Sequence, residues 1–88
     1  MLTLAHIKEL LRNGKYAWPG GYPMYFLAGD NEPLSFEAVK ENWREIVRAH
    51  LTGLDRAWAL VAYDVNWEDT QLRCVHTNKL IESAYGED

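Results

Sequence analysis

The stretch Ser35–Leu51, SFEAVKENWREIVRAHL, constrains the chain most. Phe36, Val39, Trp43, Ile46, Val47, His50 and Leu51 recur at helical spacing and form one apolar stripe. Ser35 suits an N-cap, because its hydroxyl can accept from an orphan backbone N–H of the first turn. Glu37 in the first turn and Arg48 with His50 in the last complement the helix dipole, and Gly53 follows the expected end. The spacing predicts one continuous helix with its stripe turned to a core.

The other faces of that helix are patterned too. Lys40, Arg44 and Arg48 form a basic row, and Glu37, Glu41 and Glu45 an acidic row beside it. The offset predicts the pairs Glu37–Lys40, Glu41–Arg44 and Glu45–Arg48, each worth about 0.2–0.5 kcal/mol. This reads first as a solvated face laced with ion pairs. The sharper alternative is that Lys40, Arg44 and Arg48 grip an anion or an acidic partner or, together with Lys8, Arg12 and Lys15, bind nucleic acid weakly. Interleaved glutamates would repel phosphates, which argues against nucleic acid. Ala38, Asn42 and Ala49 form a small-residue strip that lets a second element approach closely.

Around this helix the chain alternates between elements. Thr3 caps a first helix that runs to about Asn13 and ends at Gly14, with Leu4, Ile7, Leu10 and Leu11 on one face. Trp18-Pro19-Gly20-Gly21 reads as a turn. Tyr22–Ala28 reads as a strand, Gly29-Asp30-Asn31 as a turn, and Glu32–Leu34 as a short return strand, placed at an edge by Pro33. The stretch 58–67 alternates, with Ala59, Val61, Tyr63, Val65 and Trp67 on one side, as a central strand under a helix would. Leu72–His76 and Lys79–Ala84 read as strands joined by a turn at Thr77-Asn78. Residues 86–88 read as a frayed tail.

One domain over residues 1–88 is expected, in an α+β fold: an antiparallel sheet with two helices on one face, in the order α-β-β-α-β-β-β. The expected core is Leu4, Ile7, Leu11, Tyr25, Leu27, Phe36, Val39, Trp43, Ile46, Val47, Val61, Tyr63 and Val65.

The net charge of −4 is uneven. The first 29 residues are basic on balance, and residues 57–88 set six acids against Arg73 and Lys79. That distribution disfavours nonspecific binding to nucleic acid or membrane and suits a protein partner with a basic surface. A single Cys excludes an internal disulfide and fits a reducing compartment. With no signal-like segment and no membrane-length apolar run, a cytoplasmic location is expected. Self-association as a homodimer stays open.

Three blocks carry a family resemblance: YAWPGGYPMYFL (16–27), LSFEAVKENWREIV (34–47), and DVNWED followed by CVHT and SAY (64–85). Together they resemble a family of small uncharacterised proteins encoded in proteobacterial phages, prophages and integrative elements. The resemblance brings no activity and no site residues. It implies, by analogy with other small acidic proteins of mobile elements, an inhibitor that binds a host protein, defence components included.

The candidate sites are therefore weighed from the residues. Asp64, Asn66 and Glu68, in strand geometry, would form an acidic ridge; Asp64, Glu68 and Asp69 are its docking candidates. The run lacks the Gly and distal Glu of a calcium loop. Trp18 and Tyr22, on a stiff Pro/Gly loop, are candidate aromatic anchors; the alternative is that their rings close over the core. Cys74 and His76 could form a nucleophile–base pair in a small thiol enzyme, but a lone Cys on a strand is more often a buried apolar residue. No cofactor and no metal site are indicated. The expectation is a non-enzymatic binding protein.

Overall fold

The computed structural model describes residues 1–17 and 20–85. Within them the chain forms α1 (Leu4–Asn13), β1 (Tyr16–Ala17), β2 (Tyr22–Ala28), β3 (Pro33–Leu34), α2 (Phe36–Glu41), α3 (Trp43–Thr52) and β4 (Leu60–Val65). The fold is α+β with an antiparallel sheet. Trp18 and the expected tail at 86–88 lie outside the described residues.

The caps act as their chemistry dictates. Thr3 Oγ1 accepts the His6 N–H at 3.1 Å and starts α1. Ser35 Oγ accepts the Ala38 N–H at 3.1 Å and starts α2. Gly53, at φ 71°, ends α3 in the left-handed region that only glycine enters without strain.

The long helix is broken at Asn42. This residue sits at φ −116° and ψ 34°, and its side-chain amide donates to the Ala38 carbonyl at 2.9 Å. That carbonyl already receives the Asn42 backbone N–H at 3.1 Å. A short polar side chain competing for a backbone acceptor distorts a helix locally. The small-residue strip is where the packing closes: Ala38 and Ala49 are fully buried, while Leu51, expected on the stripe, is 75 % exposed.

β2, not β4, is the central strand. β1 and β3 pair with the two ends of one of its edges, and β4 pairs with the other. On β4's outer side, Leu2 donates its N–H to the Leu60 carbonyl at 3.0 Å. The β2–β4 register shifts where Ala28 faces Leu60, which leaves Val61 as an extra residue. Leu60 therefore turns inward with Ala28 and is fully buried, while the extra Val61 is 39 % exposed; Tyr63 lies on the same face as Phe26 and is 39 % exposed there. In β2 it is Pro23, Phe26 and Ala28 that are buried, and the expected Tyr25 and Leu27 are only half-buried. A strand read one residue out of phase presents its other face.

Both helical layers lie on one sheet face. Phe26 stacks on Phe36 of α2, with ring centroids 4.5 Å apart. Tyr63, the register partner of Phe26, meets His6 of α1 edge-on at 5.6 Å. Ile7, Leu34, Val39, Ile46, Leu60 and Cys74 complete the fully buried set.

The last two expected strands reduce to a bridged hairpin. Arg73 pairs with Leu80, Cys74 donates to the Lys79 carbonyl at 2.9 Å, and Ile81 donates to the Leu72 carbonyl at 2.7 Å. Asn78, at φ 61°, makes the turn. The hairpin attaches to the sheet through Val75, whose N–H donates to the Pro33 carbonyl at 2.9 Å. Only Leu72, Cys74 and Ile81 turn inward, so little apolar area rewards a longer ladder.

Candidate functional site

One buried polar residue organises the end of the sheet. Asn66, just after β4, is 4 % exposed. Its amide nitrogen lies 3.0, 3.2 and 3.1 Å from the carbonyls of Asp69, Ile81 and Glu82 and shares its two hydrogens among these three acceptors. Its Oδ1 accepts the Asp69 N–H at 3.1 Å. Its backbone adds bonds from its N–H to the Pro23 carbonyl and from the Ala84 N–H to its own carbonyl, at 2.9 and 2.8 Å. The β4 end, the 66–69 turn and the C-terminal segment are thus tied at a single side chain.

That knot places three aromatic rings together. Tyr22 begins β2, Trp67 follows Asn66, and the Tyr85 N–H donates to the Trp67 carbonyl at 2.7 Å. Ring centroids are 4.7 Å apart for Tyr22–Trp67, 6.0 Å for Trp67–Tyr85 and 6.2 Å for Tyr22–Tyr85. Trp67 and Tyr85 lie nearly parallel, at 15°. The neighbouring Tyr22 phenol raises the pKa of Tyr85 above the usual tyrosine value. Trp67 remains 46 % exposed and Tyr85 64 %. The rings brace one another while their outer surfaces stay open.

Acids flank the cluster, but not as a strand ridge. β4 stops at Val65 and Asn66 turns inward, so the expected row of Asp64, Asn66 and Glu68 is interrupted. Asp64 accepts the Val65 N–H at 2.7 Å, and Asp69 accepts the Gln71 N–H at 2.9 Å. The pKa of Tyr25 is raised, first by burial and then by the carboxylates of Asp64 and Asp69, which both lie near its phenol. Glu68 is exposed between Trp67 and Asp69. Among the described residues, Asp64, Glu68 and Asp69 form no ion pair.

The remaining candidates separate. Cys74 is fully buried. Burial pushes its thiol pKa up, but hydrogen bonds from Ser35 and Thr77 outweigh burial and bring it below the ordinary value. His76 is exposed, and its ring lies edge-on against Trp58 at 4.9 Å. No hydrogen bond joins Cys74 to His76 among the described residues, so the structure does not assemble them as a pair. No group of three His, Cys, Asp or Glu side chains gathers as metal ligands among the described residues. No helix there is long and apolar enough to cross a membrane.

Lys40, Arg44 and Arg48 are all exposed. Arg48 meets Glu45 at 3.6 Å, as the spacing predicts. Glu37 instead pairs with Lys15 at 3.0 Å, which leaves Lys40 beside α1. There Lys8, Leu11, Arg12, Lys40 and Trp43 line an open groove of about 510 Å³.

Trp67, Tyr85 and the role of Asn66 were not legible as a site. The signal available was that aromatic residues recur in the two blocks 16–27 and 64–85, which the fold brings side by side. No protein-family model, curated protein or solved structure matches the chain.

Proposed function

We propose that the chain is a non-enzymatic protein-binding module. It docks a partner with a basic surface through Tyr22, Trp67 and Tyr85, flanked by Asp64, Glu68 and Asp69. The observation that carries this reading is the ring cluster at the acidic end of the molecule, in which Trp67 and Tyr85 stack on each other, pack against Tyr22 and stay exposed. Rings already held by their neighbours lose little entropy on binding, and aromatic residues are the usual anchors of interfaces. The acids beside them, which form no ion pair among the described residues, favour a basic partner and speed its encounter. The resemblance to small proteins of mobile elements supports a cytoplasmic host protein, such as a defence component, as the partner class.

The test is affinity capture from a proteobacterial lysate with three baits. One is the native chain, one carries Trp67→Ala with Tyr85→Ala, and one carries Asp64→Lys with Glu68→Lys and Asp69→Lys. A stoichiometric partner held by the native bait and lost from both variants is the expected result. Truncating a central aromatic anchor costs about 2 kcal/mol or more, roughly thirtyfold in affinity. Equal capture by all three baits, or no stoichiometric partner on the native one, would overturn the reading. Thermal melts of the baits confirm that they fold.

A further inference from the structure

The groove between the helices shares no residue with the aromatic cluster and carries the opposite charge. Lys8 and Arg12 stand one turn apart on α1, and Lys40 reaches the groove from α2. Trp43 and Leu11, both half-buried, form its apolar lining. None of the three cations forms an ion pair among the described residues. Glu37, the acid best spaced to neutralise Lys40, makes its direct ion pair with Lys15 and meets Lys40 only at longer range. Three like charges gathered on a partly apolar surface repel one another, and an anion seated among them would relieve that repulsion.

We infer that this groove docks an acidic peptide segment carrying an apolar side chain. The cations would take carboxylates, and the Trp43 and Leu11 surface would take the apolar group. The volume of about 510 Å³ suits a few side chains, and the open shape suits a segment laid along the surface. A nucleic-acid strand fits less well. Glu9 and Glu41, exposed on the same two helices, confine a favourable anion to the short stretch spanned by the three cations, which suits a few carboxylates better than a continuous phosphate backbone. Phosphates running past those acids would be repelled.

The test follows the indole N–H resonance of Trp43 in the 15N-labelled chain, assigned with Trp43→Phe. The probes are an acetylated, amidated Glu-Glu-Leu-Phe-Glu-Glu peptide, an oligoglutamate without apolar residues, and a short single-stranded oligonucleotide. The expected result is a saturable shift with the first peptide and a clearly weaker one with oligoglutamate. Lys8→Glu with Lys40→Glu should weaken the first peptide about tenfold or more. Both positions are exposed, and Lys8→Gln with Lys40→Gln serves as a milder second variant. The inference is overturned by no saturable shift, by equal affinity in the reversed variant, or by equal affinity for oligoglutamate. Tighter binding of the oligonucleotide at the same resonance would overturn it in favour of nucleic acid.

Discussion

Asn66 is the residue on which the candidate site depends. Its amide and backbone serve six hydrogen bonds that close one end of the fold. Asn66→Ala leaves the Ile81 and Glu82 carbonyls without this donor in a part-buried setting. Buried groups left unsatisfied cost about 1–3 kcal/mol each. Asn66→Ala should therefore lower unfolding stability by about 2–4 kcal/mol in urea titrations. Asn66→Asp should do no better, because a carboxylate cannot donate to those carbonyls. A loss below about 0.5 kcal/mol would show that water replaces the amide readily. Nothing in the sequence marks this role: an Asn at the end of a strand is common in turns, and its partners lie about fifteen residues away. Cys74 was easier to read, as a small apolar residue. Although its pKa is lowered, the thiol is sealed, and thiolate chemistry needs access as well as charge. A thiol reagent should be slow on the native chain and fast after unfolding; rapid native labelling would reopen thiol chemistry at this position.

Among the elements, α1 was legible at both ends because its signals are local: Thr3 caps its start, and Gly14, at φ 93°, closes it. The α2–α3 break was not legible, because the apolar period runs through Asn42 without interruption. It arises from competition between a side-chain amide and a backbone N–H for one carbonyl. Asn42→Ala removes that competitor and substitutes a better helix former, a gain of about 0.6 kcal/mol from propensity. The expected outcome is a small rise in helical circular dichroism with stability unchanged or raised by up to about 0.5 kcal/mol. A loss of more than about 1 kcal/mol would mean instead that the bend is required by packing at Trp43 and Ala38. The strands show the corresponding limit for sheets. β2 carries apolar residues on both faces, so alternation could not choose its phase. In β4 the bulge at Val61 reverses the phase near the start of the strand, and no sequence period contains that reversal.

Across the whole molecule, distant segments meet at His50. Its Nε2 accepts the Leu60 N–H at 2.8 Å, joining the end of α3 to the start of β4. The Leu2 backbone lies beside the same ring, and Leu2 donates its N–H to the Leu60 carbonyl at 3.0 Å. An Nε2 that accepts a hydrogen bond must be unprotonated. Burial lowers the pKa of His50, the Met1 amino group lowers it further, and the Leu2 backbone raises it less. The folded chain thus takes up a proton here less readily than the unfolded chain. Where the unfolded state binds more protons, stability rises with pH. The contribution of His50 is therefore fully present above the unfolded histidine value, about 6.5. It is lost progressively as pH falls from there through the lowered folded value. Unfolding free energies measured at several points between about pH 7.5 and 5.5 should fall with acidification, in a window above the carboxylate range. His50→Gln keeps a side-chain acceptor that does not titrate in this window, so the slope there should flatten, whatever its effect on absolute stability. A slope unchanged by His50→Gln would place the pH response elsewhere and leave the Leu2–His50–Leu60 contact insensitive to protonation.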